Sequence, residues 1–211
     1  MGFKGLSVCD KVKTLGLVLD HELTLSNHVT HTIQKAVGRL RGMYRLKTLL
    51  PEAAKLAMVQ SLVLSLFYYC YPAYGNSISK EDKERIQKLQ NTAIRFVYLL
   101  KRSDHVSLFR DAADLASMET VCRVQTCCMV HKTLTTGQPE YLSDRLQHRD
   151  QVCQRRTRQA GKLHFPRVRL EIGRRSFSYF GPTLYNNLPD PLKNLANYSK
   201  FKIKIKELFV G

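Results

Sequence analysis

Residues 59–100 decide the fold, and they read VQSLVLSLFYYCYPAYGNSISKEDKERIQKLQNTAIRFVYLL. The first part, residues 59–71, carries no charge and is too apolar to present only one face to the protein, so it predicts a buried helix. Pro72 cannot continue that helix, and residues 74–76 supply a turn. A buried helix that stops at Pro72 is therefore expected at the centre of the fold.

A second helix is predicted to begin at Ser79. Ser79 and Asp82, three residues later, form a capping box, and acidic residues also suit the positive N-terminus of a helix. The apolar residues that follow recur at alternating spacings of three and four, so they form one stripe that can lie on the preceding helix. These residues are Ile86, Leu89, Ala93, Phe96 and Leu100.

The chain has 211 residues, 44% of them hydrophobic, which is enough for one or two domains with a real core. Its formal net charge of +17 favours a polyanionic partner such as RNA or DNA, although a generally basic surface is an alternative. The six cysteines have no regular spacing, and residues 1–7 contain no long apolar run. We therefore expect reduced thiols and an intracellular location, in the nucleus or the cytoplasm.

A membrane span is the alternative for residues 56–74, which are uncharged and nearly long enough to cross a bilayer. Gln60, Ser61, Ser65 and Pro72 interrupt the apolar run, and an amphipathic helix follows it. We expect a buried core helix and no membrane partner.

The N-terminal part is predicted to contain a short β element and then a helix. Residues 12–20 are β-prone and broken by Gly16, so they fit two strands or a hairpin with Leu15, Leu17 and Leu19 in the core. Ser26 or Asn27 can cap the next helix. Its apolar residues fall on one side: Val29, Ile33, Ala36, Val37, Leu40, Met43 and Tyr44.

Four cations occupy the remaining arc of that helix: Lys35, Arg39, Arg41 and Arg45. They either follow a phosphate backbone or form an ordinary solvated face. Further helices are predicted over residues 107–115 and 118–134, with Gly137 and Pro139 as stop signals and Ser199 capping a last helix. The predicted fold is mainly α, a helical bundle with a short N-terminal β element and an irregular basic C-terminal tail.

Residues 145–175 concentrate the charge, with ten Arg or Lys against two acids, a net +8. The arginines alternate with Phe165, Phe177, Tyr179 and Phe180, so they could pair with phosphates while the rings stack on unpaired bases. Alternatively, the rings belong to the core and only the arginines are exposed. The candidate nucleic-acid-binding residues here are Arg155, Arg156, Arg158, Arg167, Arg169, Arg174 and Arg175.

One constellation has metal-ligand spacing: Cys128 and His131, followed by His148 and Cys153. Zinc sites use such half-sites, but Cys127 and Cys128 lie in the middle of a predicted helix, and free cysteine is among the most often buried side chains. No second C-x-x-C unit is present. We interpret these cysteines as core thiols and predict no metal and no other cofactor.

The order of several motifs resembles the region after the palm in reverse transcriptases of LINE-type (non-LTR, jockey-like) retrotransposons. The matching runs are residues 66–75, LFYYCYPAYG, residues 86–95, IQKLQNTAIR, and Asp104-His105. Residues 13–20 resemble that family's K-x-L-G-V-x-x-D element, which lies near the primer grip. The resemblance therefore implies a primer-grip-like role for Lys13, Leu15 and Gly16.

The resemblance extends over essentially the whole chain. Residues 124–143 partly match the family helix R-x-x-x-K-x-x-x-x-x-Y-K-x-L…P-x-Y-L, and residues 155–189 resemble its tail R-T-R…P-x-x-R-x-x-x-G-x-R-S-F-x-x-x-G-P-x-L-W-N-x-L-P. Tyr185 replaces a usual Trp, and residues 115–118 replace the usual L-x-W-L-P turn. The implied domains are the end of the palm (1–25), a helical thumb-like domain (26–143) and a basic C-terminal extension (144–211).

The family activity is RNA-directed DNA polymerisation, which needs two metal ions held by palm aspartates. The sequence contains no aromatic-x-Asp-Asp motif, no Walker loop, no nucleophile elbow and no H-E-x-x-H. We therefore expect a nucleic-acid-binding fragment, from a truncated element copy or gene model, that is not an enzyme on its own. One alternative is a domesticated helical module that docks on a protein, and another is a non-catalytic part completed by a separate palm-and-fingers polypeptide.

Overall fold

The computed structural model describes residues 10–152 and 160–210, and it is mostly helical with one two-stranded sheet. The mainly α prediction is confirmed. The chain divides into two compact units: unit 1 is Met1–Tyr69 with Ile78–Ala113, and unit 2 is Cys70–Ser77 with Asp114–Gly211. Across the described ranges, no helix has the length and apolar character needed to cross a membrane.

The N-terminal β element of unit 1 is a hairpin. Strand β1, Lys11–Thr14, pairs antiparallel with β2, Leu17–Asp20, and Thr14 lies opposite Leu17. Leu15 and Gly16 both have positive φ, 47° and 85°, as a two-residue hairpin turn of type I′ requires. The hairpin prediction is confirmed, but Leu15 is 84% exposed because it occupies the turn, so its assignment to the core is wrong.

Helix α1, Ser26–Met43, begins without the predicted cap. Leu25 is the N-cap residue, in a left-handed conformation, and Ser26 lies inside the helix. The carboxylate of Asp20 accepts hydrogen bonds from the Leu25 N–H (3.0 Å) and from the Thr24 hydroxyl. Burial raises the pKa of Asp20, but these hydrogen bonds outweigh it and the net pKa is lowered. Asp20 therefore supplies an acceptor at this helix start, and the prediction of a Ser26 or Asn27 cap is wrong.

The predicted apolar side of α1 is largely confirmed. Val29, Ala36, Leu40 and Met43 are buried, and Ile33 and Val37 are half-buried. Tyr44 is the exception, because it begins the 3-10 turn Tyr44–Leu46 and is 43% exposed.

The apolar stretch does not form one buried helix. It comprises α2 (Glu52–Met58), a π-helix (Val59–Leu64), α3 (Ser65–Tyr68) and α4 (Tyr71–Tyr74). The break falls at Cys70, which has a φ of 53°, and Pro72 lies in the first turn of α4, where proline is tolerated. Val59, Val63, Leu64 and Phe67 are buried, whereas Gln60, Ser61 and Leu62 are exposed. The expected stop at Pro72 is wrong, because the chain already breaks at Cys70. The expected complete burial is also wrong, because one side of the π-helix is exposed.

Helix α5, Lys80–Tyr98, begins as predicted: the Ser79 hydroxyl accepts a hydrogen bond from the Asp82 N–H at 3.1 Å. Four residues of its apolar stripe are buried, and the helix packs against α1, α2 and the π-helix. Leu99 takes a left-handed conformation that ends α5, so Leu100 lies beyond the helix. Helix α6, Ser107–Ala112, then closes unit 1.

Asp82 has a second function at this helix start. Its side chain is almost fully buried, and it accepts hydrogen bonds from the Ser26 hydroxyl (2.5 Å) and from Nη1 of Arg85 (2.8 Å). Nη2 of Arg85 in turn donates to the Thr30 hydroxyl at 3.1 Å. A buried carboxylate is tolerated only with such partners, and here they link the first turns of α1 and α5.

Unit 2 is built around α7, Met118–Thr136, which packs against α4, α11 and α13. The Ser117 hydroxyl accepts from the Thr120 N–H at 3.1 Å, and Gly137, with a φ of 68°, ends the helix as predicted. The other helices of the described part of unit 2 are α8 (Glu140–Ser143), α9 (Arg149–Val152), α10 (Glu171–Arg175), α11 (Phe177–Asn186), α12 (Asp190–Lys193) and α13 (Tyr198–Val210).

The C-terminal region is more helical than an irregular tail, because α11 and α13 bury apolar residues against α7. Tyr185, Phe201 and Ile205 belong to one buried cluster with Cys127 and Val130 of α7. The last helix is present as predicted, but its cap is not Ser199. The side-chain carbonyl of Asn197 instead accepts a hydrogen bond from the Lys200 N–H at 3.0 Å.

Candidate nucleic-acid interface

The four predicted cations of the α1 region are all exposed in unit 1. Arg39 donates from Nη1 to the carbonyl oxygen of Leu62 at 2.6 Å, so its stem is held against the π-helix. Among the described residues, no acidic side chain forms an ion pair with Lys35, Arg39, Arg41 or Arg45. Their charges are therefore not neutralised locally, and they can contact a polyanion.

The primer-grip-like residues lie together in the hairpin of unit 1. Lys13 is exposed on β1, and Leu15 and Gly16 form the turn. The Tyr69 hydroxyl donates to the Leu15 carbonyl at 2.7 Å, and a Cβ added at Gly16 would lie 3.2 Å from the Tyr69 ring. Tyr69 therefore fixes the turn, and glycine is favoured at position 16 by both its φ and this close approach.

The predicted arginines of the tail fall into two sets. Arg155, Arg156 and Arg158 lie outside the described residues. In unit 2, Arg167, Arg169 and Arg174 are exposed, while Nε of Arg175 bonds the Glu171 carboxylate at 3.2 Å. Three of the four described arginines are thus available to an anion, and the fourth is partly occupied by a surface ion pair.

The aromatic residues of the same segment are engaged within unit 2. Phe165 and Tyr179 form an edge-to-face pair with ring centroids 5.2 Å apart, and the Arg149 guanidinium lies 5.3 Å from the Phe165 centroid. Phe177 packs against the buried cluster of the unit, and Phe180 is half-buried. This arrangement favours the interpretation in which the rings pack in the protein and the arginines alone face solvent.

Cys127 and Cys128 are buried in the core of unit 2, as predicted, and burial raises the pKa of both thiols. Cys70 and Cys122 form no disulfide within the described residues. Raised pKa values keep the thiols protonated, and a protonated thiol is a poor metal ligand. Cys153 lies outside the described residues, and within them no three His, Cys, Asp or Glu side chains are grouped as a metal site requires.

His131 has a structural environment. Nε2 lies 2.9 Å from the Leu195 carbonyl and Nδ1 lies 2.9 Å from the Tyr185 hydroxyl, while the ring stacks on Phe201 at 3.8 Å. Because a carbonyl can only accept, Nε2 carries the proton and Nδ1 accepts from Tyr185. Burial lowers the pKa of His131 and raises that of Tyr185 to about 12, so both groups are uncharged at neutral pH.

A pocket in unit 1 is lined by four residues that the sequence pattern does not indicate as binding residues: Tyr44, Lys88, Arg95 and Arg102. Lys88 and Arg95 are seven residues apart on α5, and this spacing places them on one face of the helix. That spacing is the available sequence signal. Tyr44 and Arg102 join them only through the tertiary fold.

No protein-family model, curated protein or solved structure matches this chain. The assignment of a function therefore depends on the motifs, on the residues and on their arrangement in each unit.

Proposed function

We propose that this chain is a nucleic-acid-binding fragment of a LINE-type reverse transcriptase, comprising the thumb-like region and the C-terminal extension without the catalytic palm. The observation that carries the proposal is the set of exposed, unneutralised cations on α1 and between residues 167 and 174, in a chain of net charge +17. The ordered motif resemblance supports the same assignment. Its partner is RNA or DNA, bound chiefly through phosphates.

Single-stranded RNA binding is assigned mainly to residues 145–175, because this segment has a net charge of +8. The cations of the α1 region are instead single residues separated along the sequence. If about five phosphates are neutralised, the logarithm of the affinity falls with the logarithm of salt concentration at a slope near −3.5, at about −0.7 per phosphate. Since Phe165 of this segment and the following Phe177 and Tyr179 pack within unit 2, phosphate contacts rather than base stacking should dominate.

Salt-dependent titrations of single-stranded RNA with three variants test this assignment. The tail variant changes Arg155, Arg156, Arg158, Arg174 and Arg175 to Ala, and it should flatten the slope towards zero. The helix variant changes Lys35, Arg39, Arg41 and Arg45 to Ala, and it should shift the slope less. A control variant changes the exposed Lys200, Lys202 and Lys204 of α13 to Ala and should keep the parent slope. If the tail variant keeps the parent slope while the helix variant loses it, the binding surface is α1.

The isolated chain should not incorporate deoxynucleotides on a primed RNA template with magnesium, since the sequence contains no pair of palm-type aspartates. Incorporation above a control without protein would contradict this expectation.

A second candidate function is that of a non-catalytic part of a polymerase, to which a separate polypeptide would supply the palm and fingers. The observation that favours it is the exposure of apolar side chains in and after the hairpin: Val12 is 51% exposed, Leu15 84% and Leu23 54%. Mixing the chain with a palm-and-fingers polypeptide from such an element should give a complex in size-exclusion chromatography. Leu15→Asp should abolish that complex, whereas Leu108→Asp, at a residue 75% exposed on α6, should not.

A further inference from the structure

Unit 1 contains a surface pocket of about 640 Å³ between the end of α1 and the last turns of α5. The described residues that line it include three cations, Lys88, Arg95 and Arg102, and no acidic side chain. Tyr44, Asn91, Thr92 and Leu100 complete the lining. None of the three cations belongs to the exposed set on α1 or to the tail.

The polar groups of the pocket leave donors free for an anion. Arg95 donates from Nη2 to the Asp104 carbonyl at 3.2 Å, which holds its guanidinium beside the pocket. The side-chain oxygen of Asn91 accepts from Gln87 at 3.0 Å, so the amide N–H groups of Asn91 remain available to donate. Among the described residues, Lys88 has one acidic partner, the exposed Glu84 at 4.0 Å. This donor set matches the oxygens of a phosphate.

The remaining lining is apolar and aromatic. The ring of Tyr44 packs at 5.3 Å on Phe96 with a tilt of 53°, which supports it from within unit 1, yet the residue is still 43% exposed. Leu100 adds an aliphatic surface. An aromatic ring beside a group of cations is the combination that binds a base and its phosphate.

We propose that this pocket binds one nucleoside monophosphate unit, with the phosphate at Lys88, Arg95 and Arg102 and the base against Tyr44 and Leu100. The unit is either a free nucleotide or one unpaired nucleotide of a bound strand. The strand-bound form rests on the proposed nucleic-acid-binding function, whereas the free form does not. Arg41 and Arg45 flank Tyr44 in sequence, so a strand that occupies the pocket can continue along the basic face of α1.

The test uses the full chain and four variants. The pocket variant is Lys88→Ala with Arg102→Ala, and the matched control is Lys202→Ala with Lys204→Ala, which removes the same net charge from exposed positions of α13. Tyr44→Leu removes the ring, and Tyr44→Phe keeps it. Melting temperatures establish that each variant is folded. The probes are adenosine 5′-monophosphate, inorganic phosphate and a single-stranded RNA of about twelve nucleotides, titrated by calorimetry.

The full chain should bind the nucleotide more tightly than inorganic phosphate. The pocket variant should weaken nucleotide binding about ten-fold or more, and the control should not. Tyr44→Leu should weaken nucleotide binding and leave phosphate binding unchanged, with Tyr44→Phe close to the parent. In the RNA titration the pocket variant should make the salt slope less negative by about 0.7, the share of the one phosphate that the pocket holds.

If the nucleotide and inorganic phosphate bind equally tightly, the assignment is overturned, because the pocket then recognises the anion and not the base. Parent-like behaviour of the pocket variant with both the nucleotide and the RNA would also overturn it. If the full chain binds no RNA but binds the nucleotide through the pocket, the proposed function fails and the pocket stands as a free-nucleotide site. If only the RNA responds to the pocket variant, the strand is the source of the bound nucleotide.

Discussion

Two buried side chains with several polar partners, one in each unit, differ in their chemistry. Unit 1 buries the carboxylate of Asp82 among the hydroxyl of Ser26 and the guanidinium of Arg85. Unit 2 buries the uncharged imidazole of His131 between Tyr185, the Leu195 carbonyl and the ring of Phe201. A charge requires charged or polar partners, so it lies where two helices begin, whereas a neutral ring can lie in the centre of an apolar core.

The surfaces of the two units also differ, in the exposure of their aromatic rings. In unit 1, Tyr44 is exposed beside the cations Lys88, Arg95 and Arg102. In unit 2, Phe165 and Tyr179 pack on each other and Phe177 packs into the core. Stacking of a base on an aromatic ring is therefore more compatible with unit 1. The described arginines of unit 2 are more compatible with contacts to phosphates alone.

The largest effect is expected from the core of unit 2. Phe201→Ala removes a fully buried ring that stacks on His131, so it should lower the free energy of unfolding by about 4 kcal/mol. Urea denaturation with hydrogen-exchange mass spectrometry of α7 and α5 measures the loss and assigns it to a unit. Leu208→Ala on the same helix, at a residue 47% exposed, should change the free energy by less than about 0.5 kcal/mol. Similar losses from both variants would contradict the described core.

The next effect concerns the buried carboxylate of unit 1. Asp82→Asn keeps the shape but removes the charge that pairs with Arg85, and it should lower the free energy of unfolding by about 2 kcal/mol. Hydrogen exchange should increase first at the beginnings of α1 and α5. Glu84→Gln serves as the control, because its pair with Lys88 is exposed and 4.0 Å long. If the control costs as much as Asp82→Asn, burial of the charge is not what matters.

A smaller effect compares two helix caps with the same geometry. The hydroxyls of Ser79 in unit 1 and Ser117 in unit 2 each accept a backbone N–H at 3.1 Å. Ser117→Ala should lower the free energy of unfolding by about 1 kcal/mol. Ser79→Ala should lower it further, because the second partner of the Ser79 hydroxyl is the Asp82 carboxylate at 3.2 Å, whereas that of the Ser117 hydroxyl is the neutral hydroxyl of Thr120 at 2.9 Å. Equal losses in denaturation measurements would mean that the carboxylate gains nothing from Ser79.

The smallest expected effect is a pH dependence in unit 2. Burial lowers the pKa of His131, so the unfolded chain takes up this proton before the folded chain does. Stability from the neutral imidazole is therefore complete above the ordinary histidine pKa of 6.5 and is lost as pH falls through that value towards the folded pKa. His131→Gln should flatten the stability profile of α7 and α13 between about pH 7 and pH 5.

His28 in unit 1 requires a separate control, since burial and the nearby His31 lower its pKa in the same direction. His28→Gln should change the profile of α1 and leave that of α7 unchanged. An unchanged profile in His131→Gln would show that His131 does not titrate within this range.

Local signals were the most reliable guide to the elements. The Ser79 cap, the Gly137 stop and the break of the β element at Gly16 are determined by a few adjacent residues, so the sequence predicts them. The caps at Ser26 and Ser199 were wrong for one reason: each serine had competitors close in space or sequence. Asp20 supplies acceptors to Thr24 and Leu25, Asp82 engages Ser26, and Asn197 caps α13.

By itself, the sequence determined the mainly α class, the hairpin, the burial of Cys127 and Cys128 and the strongly basic character, because these follow from periodicity, turn chemistry and composition. Only the tertiary structure decided that the apolar stretch breaks at Cys70 and that Phe165 and Tyr179 pair with each other. It also decided that Tyr44 joins Lys88, Arg95 and Arg102 at one pocket. These features depend on which residues meet across distant parts of the chain, and no local pattern contains that information.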